Sequence, residues 1–147
     1  NYRLTNILAA MGCAQIERLH EYIAAKRRIA ERYEAALGGI SGIEPMRQAP
    51  WAFSTYWMYT VRLDDVRYGE SSRGLLRRLQ AARIQARPLW QPIHASVAHS
   101  GAFATDCPVA EKLNRQCLSL PCTVNLTSDD QARVLDAIAK ERPGTPR

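Results

Sequence analysis

The sequence predicts an α/β chain with a small sheet, helices covering it, and long helices leading into it. Three observations carry that prediction. Apolar residues recur at helical spacing for about thirty residues from Leu4. The aromatic and β-branched run Tyr56 to Leu63 then reads as a strand, and beyond it helical and extended stretches alternate. At 147 residues the chain is long enough to bury a sizeable core.

The lead-in places Leu4, Ile7, Leu8 and Met11, then Ile16, Leu19, Ile23, Ala30, Tyr33 and Leu37, on one face. So long a run predicts a break near Leu19-His20, giving two consecutive helices. Cys13 falls inside the apolar pattern, where a thiol behaves as a small hydrophobe. Lys26 stands with Arg27, Arg28 and Glu31 on a face that should be wet. Gly38-Gly39 stops the second helix.

Residues 40–55, punctuated by Gly42, Pro45 and Pro50, read as loop. The strand 56–63 follows and closes at Asp64-Asp65. Ser71 or Ser72 caps a helix with Leu75, Leu76 and Leu79 inward. The stretch from Ile84 to His94 is extended because each proline disfavours helix in the residue before it. Pro88 has no N–H, so that strand is an edge or ends early. Cys107 to Gln116 reads as a short helix with Pro108 in its first turn, and Leu118 to Pro121 as a brief strand. Thr127 and Asp130 resemble a capping box, with Asp in place of Glu, opening a helix with Val134, Leu135 and Ile138 inward. Pro143-Gly144 ends it.

Composition narrows the function classes. Nothing approaches the roughly 20 consecutive apolar residues of a membrane span. The net charge of +6 comes from seventeen Arg against three Lys. These arginines are spread along the chain among glutamates, which suits solvated helix faces better than a nucleic-acid groove. Trp51, Trp57 and Trp90, with no basic groove interleaved, are expected to pack and not to stack on bases. Cys13, Cys107, Cys117 and Cys122 form no CxxC pair and no zinc spacing with histidine, so no metal site is expected. No initiator Met and no export signal stand before Asn1, and reduced thiols in a cytoplasmic protein are the expectation.

Asn1, Tyr2 and Arg3 put an amide, a phenol and a guanidinium just ahead of a helix, a combination suited to an anion such as phosphate. The alternative is that Thr5 or Asn6 is an ordinary N-cap. His94 is a candidate to face a cleft, whereas His20 and His99 read as surface or capping residues.

The stretch Asn1-Tyr2-Arg3-Leu4-Thr5-Asn6-Ile7-Leu8-Ala9-Ala10-Met11-Gly12 resembles a motif of the pyridoxal-phosphate-dependent sugar aminotransferases, the DegT/DnrJ/EryC1/StrS family. The stretch Ala86-Arg87-Pro88-Leu89-Trp90-Gln91-Pro92-Ile93-His94 is similar to its arginine–proline to proline–histidine segment. Residues 107–113, and 118–121 followed by Leu126-Thr127, are similar to its closing pattern.

The resemblance implies the small C-terminal domain of an aspartate-aminotransferase-like (fold type I) enzyme. Residues 1–38 would lead in from a large domain and 39–147 would form the small one. The implied activity is transfer of an amino group from an amino acid, usually glutamate, to a keto-sugar nucleotide with pyridoxal 5'-phosphate as cofactor. Asn1 would reach the cofactor phosphate across a dimer, while Arg3, Arg87 and His94 would serve the substrate. The family's Schiff-base lysine belongs upstream of the Asn-Tyr-Arg motif, so Lys26, Lys112 and Lys140 are poor replacements. The chain alone is therefore expected to hold no cofactor and to be inactive, self-associating through its N-terminal helices. The other reading is a non-catalytic dimerising or interaction module of the same descent.

Overall fold

The computed structural model describes residues 3–140. Helices α1 (Asn6–Glu17) and α2 (Leu19–Leu37) meet at Arg18, whose backbone (φ −103°, ψ 6°) has left the helix. The break thus falls beside the expected Leu19-His20. Thr5 caps α1, its Oγ1 accepting from the Leu8 N–H at 3.3 Å. No residue of α1 is buried. Leu4, Ile7, Leu8 and Met11 are all more than half exposed, as is usual only where a surface awaits a partner. Cys13 is exposed too, which corrects its reading as an interior hydrophobe: α1 has nothing to pack it against.

Among the described residues four antiparallel strands run in the order β1-β2-β4-β3. They are β1 (Ile43–Pro45), β2 (Tyr59–Leu63), β3 (Arg87–Pro88) and β4 (Cys117–Leu120). β1 lies inside the expected loop 40–55, and Pro45 is tolerated there because β1 is an edge. β2 starts three residues later than the sequence suggests. Tyr56 adopts φ 48°, and that left-handed turn interrupts the extended run. The expected strand 84–94 narrows to Arg87–Pro88 because Pro88 cannot continue a ladder, and Ile93–Ala95 closes into a 3-10 turn.

Asp64 does more than end β2. Its Oδ1 accepts from the Val66 and Arg67 N–H groups and opens the one-turn helix α3 (Asp65–Tyr68). Gly42 is required beneath that turn. It has φ 80°, its carbonyl accepts from the Asp64 N–H, and a Cβ there would lie 2.2 Å from Tyr68 N.

Helices α4 (Ser72–Ala81), α5 (Pro108–Gln116) and α6 (Ser128–Ala139) complete the fold. Ser71 caps α4. Thr127 caps α6, and the Asp130 carboxylate accepts the Thr127 hydroxyl (2.7 Å). Asp is a methylene too short for the full reciprocal box. The core forms where α2, α4 and α6 cover one sheet face: Tyr33, Leu37, Leu75, Leu79, Val134 and Ile138 meet Tyr59, Val61, Leu63, Leu118 and Leu120. Tyr33 stacks on Tyr59 with centroids 5.0 Å apart and donates its hydroxyl to the Pro121 carbonyl (2.8 Å). The expected stop at Pro143-Gly144 lies outside the described residues. Among those described, no helix is long and apolar enough to cross a membrane.

Candidate functional site

The segment from β3 to the 3-10 turn is short of regular pairing, so side chains must hold it. Asn114 of α5 donates from Nδ2 to the Leu89 carbonyl (2.7 Å) and to that of Trp90 (2.9 Å). Gln91 donates to the Ala95 carbonyl (2.7 Å). His94 Nε2 lies 3.1 Å from Glu111 Oε1, whose other oxygen is 3.7 Å from Arg115. Helix α5 thus fixes residues 89–94 by an amide and a carboxylate. The carboxylate also orients the His94 imidazole.

Arg87 and His94 open onto different hollows. Arg87, paired with Ser119 in the ladder, lines a groove of about 540 Å³ at the end of the sheet. That volume is in the usual range of small-molecule sites. His94 lines a second hollow of about 440 Å³ with His99, Phe103 and Cys107. Arg3 is exposed in the coil before α1 and lines neither. Asn1 lies outside the described residues. Of the four residues the sequence singles out, three are placed and no two of them line the same hollow.

The first groove carries what sequence reasoning missed. Trp57 and Trp90 stand on it, 66% and 71% exposed, with ring centroids 5.9 Å apart at 58°. Trp51 is 89% exposed. The expected packing is limited to Trp57 and Trp90 against each other, and all three rings stay largely exposed: β2 begins only at Tyr59, and Trp90 belongs to an edge segment between prolines. A strand start flanked by turn residues, and an X-Pro edge, are signals that could have placed both rings at the surface. Arg83 and Arg133 join Arg87 in the lining, against one carboxylate, Asp130.

Behind the groove, Lys26 Nζ donates to the Trp57 carbonyl (3.0 Å) and to that of Cys122, and lies 3.6 Å from Cys122 Sγ. The wet face expected for Lys26 is corrected accordingly; its ammonium ties the start of β2 to the segment after β4. With its donors so engaged, Lys26 does not suit covalent attachment of a carbonyl cofactor, which needs a free amine. Lys112 and Lys140 are exposed on a helix surface and at a helix end, and line neither hollow. The lysines present therefore do not fit that role. Cys117 is buried, and burial pushes its thiol up, away from reactivity. Among the described residues no cluster of His, Cys, Asp or Glu could hold a metal ion.

The DegT/DnrJ/EryC1/StrS aminotransferase family model matches residues 1–139. EpsN of Bacillus subtilis, which carries the name of a pyridoxal phosphate-dependent aminotransferase, is 37% identical over 142 residues, covering 94% of this chain and 36% of that protein. GDP-perosamine synthase of Caulobacter vibrioides is 34% identical over 139 residues, covering 94% and 37%. Among solved structures, the aminotransferase TlmJ from Streptoalloteichus hindustanus superposes with a TM-score of 0.80 at 27% identity, covering 90% of this chain and 35% of that one. The chain spans little more than a third of the length of these relatives.

Proposed function

Because the chain belongs to the DegT/DnrJ/EryC1/StrS aminotransferase family, we propose that it is the C-terminal part of a longer pyridoxal-phosphate-dependent enzyme. That enzyme transfers an amino group from an amino acid, glutamate by expectation, to a keto-sugar nucleotide in amino-sugar or surface-polysaccharide biosynthesis. The fold is shared with part of fold type I aminotransferases. Residues 1–38 lead in from the large domain and 39–147 form the small one. The observation that carries this reading is a nearly full match of the chain to about a third of its relatives, combined with lysines unsuited to the cofactor.

In this reading Asn1 contacts the cofactor phosphate of the neighbouring subunit. Arg3 and Arg87 offer guanidinium groups to the anionic substrate, and His94 borders it. The chain by itself is inactive. The exposed face of α1 supports homodimerisation through the N-terminal helices, and four free cysteines support a cytoplasmic setting.

The test is trapping. The natural gene product and this chain are each mixed with pyridoxal phosphate, reduced with borohydride and mapped by mass spectrometry. The reading predicts a stoichiometric label upstream of Asn1 in the gene product and none on the chain. Stoichiometric labelling of Lys26, Lys112 or Lys140 overturns it.

A further inference from the structure

Residues 89–94 have little backbone pairing of their own. Pro88 and Pro92 bring no N–H, residues 89–92 belong to no regular element, and a 3-10 turn of three residues carries His94. Helix α5 supplies the support instead. Its Glu111, Asn114 and Arg115 stand at i, i+3 and i+4, on one helix face. Asn114 takes the carbonyls of Leu89 and Trp90, and Glu111 takes the His94 ring. The far end of α5 is itself tied down. The buried Ser72 hydroxyl donates to the Arg115 carbonyl, and Arg73 donates to that of Asn114 (3.2 Å). The imidazole is thus placed by α5 and, behind it, by the first turn of α4.

The pairing also decides which ring nitrogen carries the proton. A carboxylate only accepts, so Nε2, 3.1 Å from Glu111 Oε1, is the N–H of the neutral ring. Glu111 Oε2 faces Arg115 at 3.7 Å, which leaves Oε1 to the imidazole. Nδ1 keeps the lone pair. It has no partner among the described residues and is not sealed from solvent, although the side chain is only 20% exposed. The hollow that His94 lines is walled mostly by apolar residues, Phe103 among them. A lone pair on a fixed ring in such a wall suits a ligand hydroxyl, which brings a proton to share, and not an anion, which brings none.

We propose that Glu111 is a positioning residue of the aminotransferase reaction: it holds His94 as the Nε2–H tautomer, so that Nδ1 accepts from a hydroxyl of the keto-sugar. The proposal rests on the aminotransferase reading for the identity of the ligand, whereas the tautomer and its dependence on Glu111 rest on the geometry alone. With the Glu111 side chain 45% exposed, the pair adds little to the stability of the fold. Its effect belongs to the reaction.

The experiment has two arms. In the longer enzyme, Glu111→Ala should lower kcat/KM for the keto-sugar nucleotide about tenfold while the melting midpoint barely moves. The same substitution added to His94→Ala should cost less than about twofold, since without the ring the carboxylate has nothing to place. Glu111→Gln keeps an oxygen for the Nε2–H and should recover most of the activity. In this chain, nitrogen-15 spectra of the neutral imidazoles should show His94 as a single Nε2–H tautomer. Glu111→Ala should set His94 into tautomer exchange and leave His20 unchanged. An Nδ1–H tautomer at His94 overturns the proposal. So does an equal loss from Glu111→Ala with and without His94, or a Glu111→Gln enzyme as impaired as Glu111→Ala. The two readings fail separately. If the longer enzyme turns over and Glu111→Ala matches the parent, the positioning role is wrong and the aminotransferase stands. If a folded, cofactor-loaded longer product transfers no amino group, the aminotransferase falls and takes the keto-sugar with it, while the spectra alone decide whether Glu111 fixes His94.

Discussion

Tyr33 and Tyr59 stack in the core, and removing their hydroxyls should have opposite effects. Both side chains are at most 1% exposed. The Tyr33 hydroxyl donates to the Pro121 carbonyl at 2.8 Å, whereas that of Tyr59 has no partner among the described residues. Tyr33→Phe removes a hydrogen bond and leaves a sheltered acceptor, a loss of about 1–2 kcal/mol. Tyr59→Phe removes a hydroxyl that was desolvated without compensation and should stabilise by about 1 kcal/mol, less whatever the small void takes back. The ring stacking is retained in both. At this chain length each kcal/mol moves the midpoint by roughly 2–4 °C, within reach of urea and thermal denaturation.

The pH dependence supplies a second readout. Burial pushes both phenols above the usual tyrosine range, with the Cys122 thiol adding to it at Tyr33 and Glu34 at Tyr59. Unfolded tyrosines ionise near pH 10. Above that pH the native state holds more protons than the unfolded one, so stability falls as pH rises. The contribution is fully present below about pH 10, and each Phe variant should lose part of the alkaline slope. Were Tyr59→Phe to destabilise as much as Tyr33→Phe, the Tyr59 hydroxyl would have a partner and the reasoning would be refuted.

The exposed stripe of α1 predicts self-association of the chain at micromolar concentration. Sedimentation should show at least a dimer, and Ile7→Asp with Met11→Asp should return a monomer; a parent that stays monomeric at high concentration contradicts this. Thr5→Ala should cost about 0.5–2 kcal/mol through the lost cap. Asn1→Ala in the longer enzyme should leave apo stability alone and weaken cofactor binding about tenfold or more. The reverse pattern for Asn1, read by thermal melts and cofactor titration, makes that residue structural. Lys26→Met should loosen Trp57, seen as lower tryptophan anisotropy with the far-UV spectrum retained; unchanged anisotropy shows that the clamp is idle. Gly42→Ala should destabilise by several kcal/mol, since φ 80° and a backbone contact at 2.2 Å leave a Cβ no room; a mild loss measured in urea would mean that α3 can shift.

Helices with strong periodicity and caps were legible: the Arg18 break, the Ser71 and Thr127 caps, and α5 with its leading proline all follow from local chemistry. The edge character of β3 followed from Pro88 alone. What escaped were features set by tertiary context. β1 has three residues and takes its identity from pairing with β2, and α3 exists because Asp64 finds two N–H groups after the strand ends. Lys26 looked solvated because sequence neighbours cannot reveal carbonyls from residues 57 and 122 arriving above it. The groove was illegible for the same reason. Its arginines are spread between positions 83 and 133, and only the packing of α4 against both α6 and β3 gathers them.

The aminotransferase reading is tested most directly by turnover of the natural gene product. The protein is incubated with pyridoxal phosphate, glutamate and a keto-sugar nucleotide, and the sugar product is read by mass spectrometry. The account predicts a glutamate-dependent amino group in place of the carbonyl oxygen from the longer product, and none from residues 1–147 alone. Turnover by this chain by itself, or none by a folded, cofactor-loaded longer product across a panel of keto-sugar nucleotides, would contradict it.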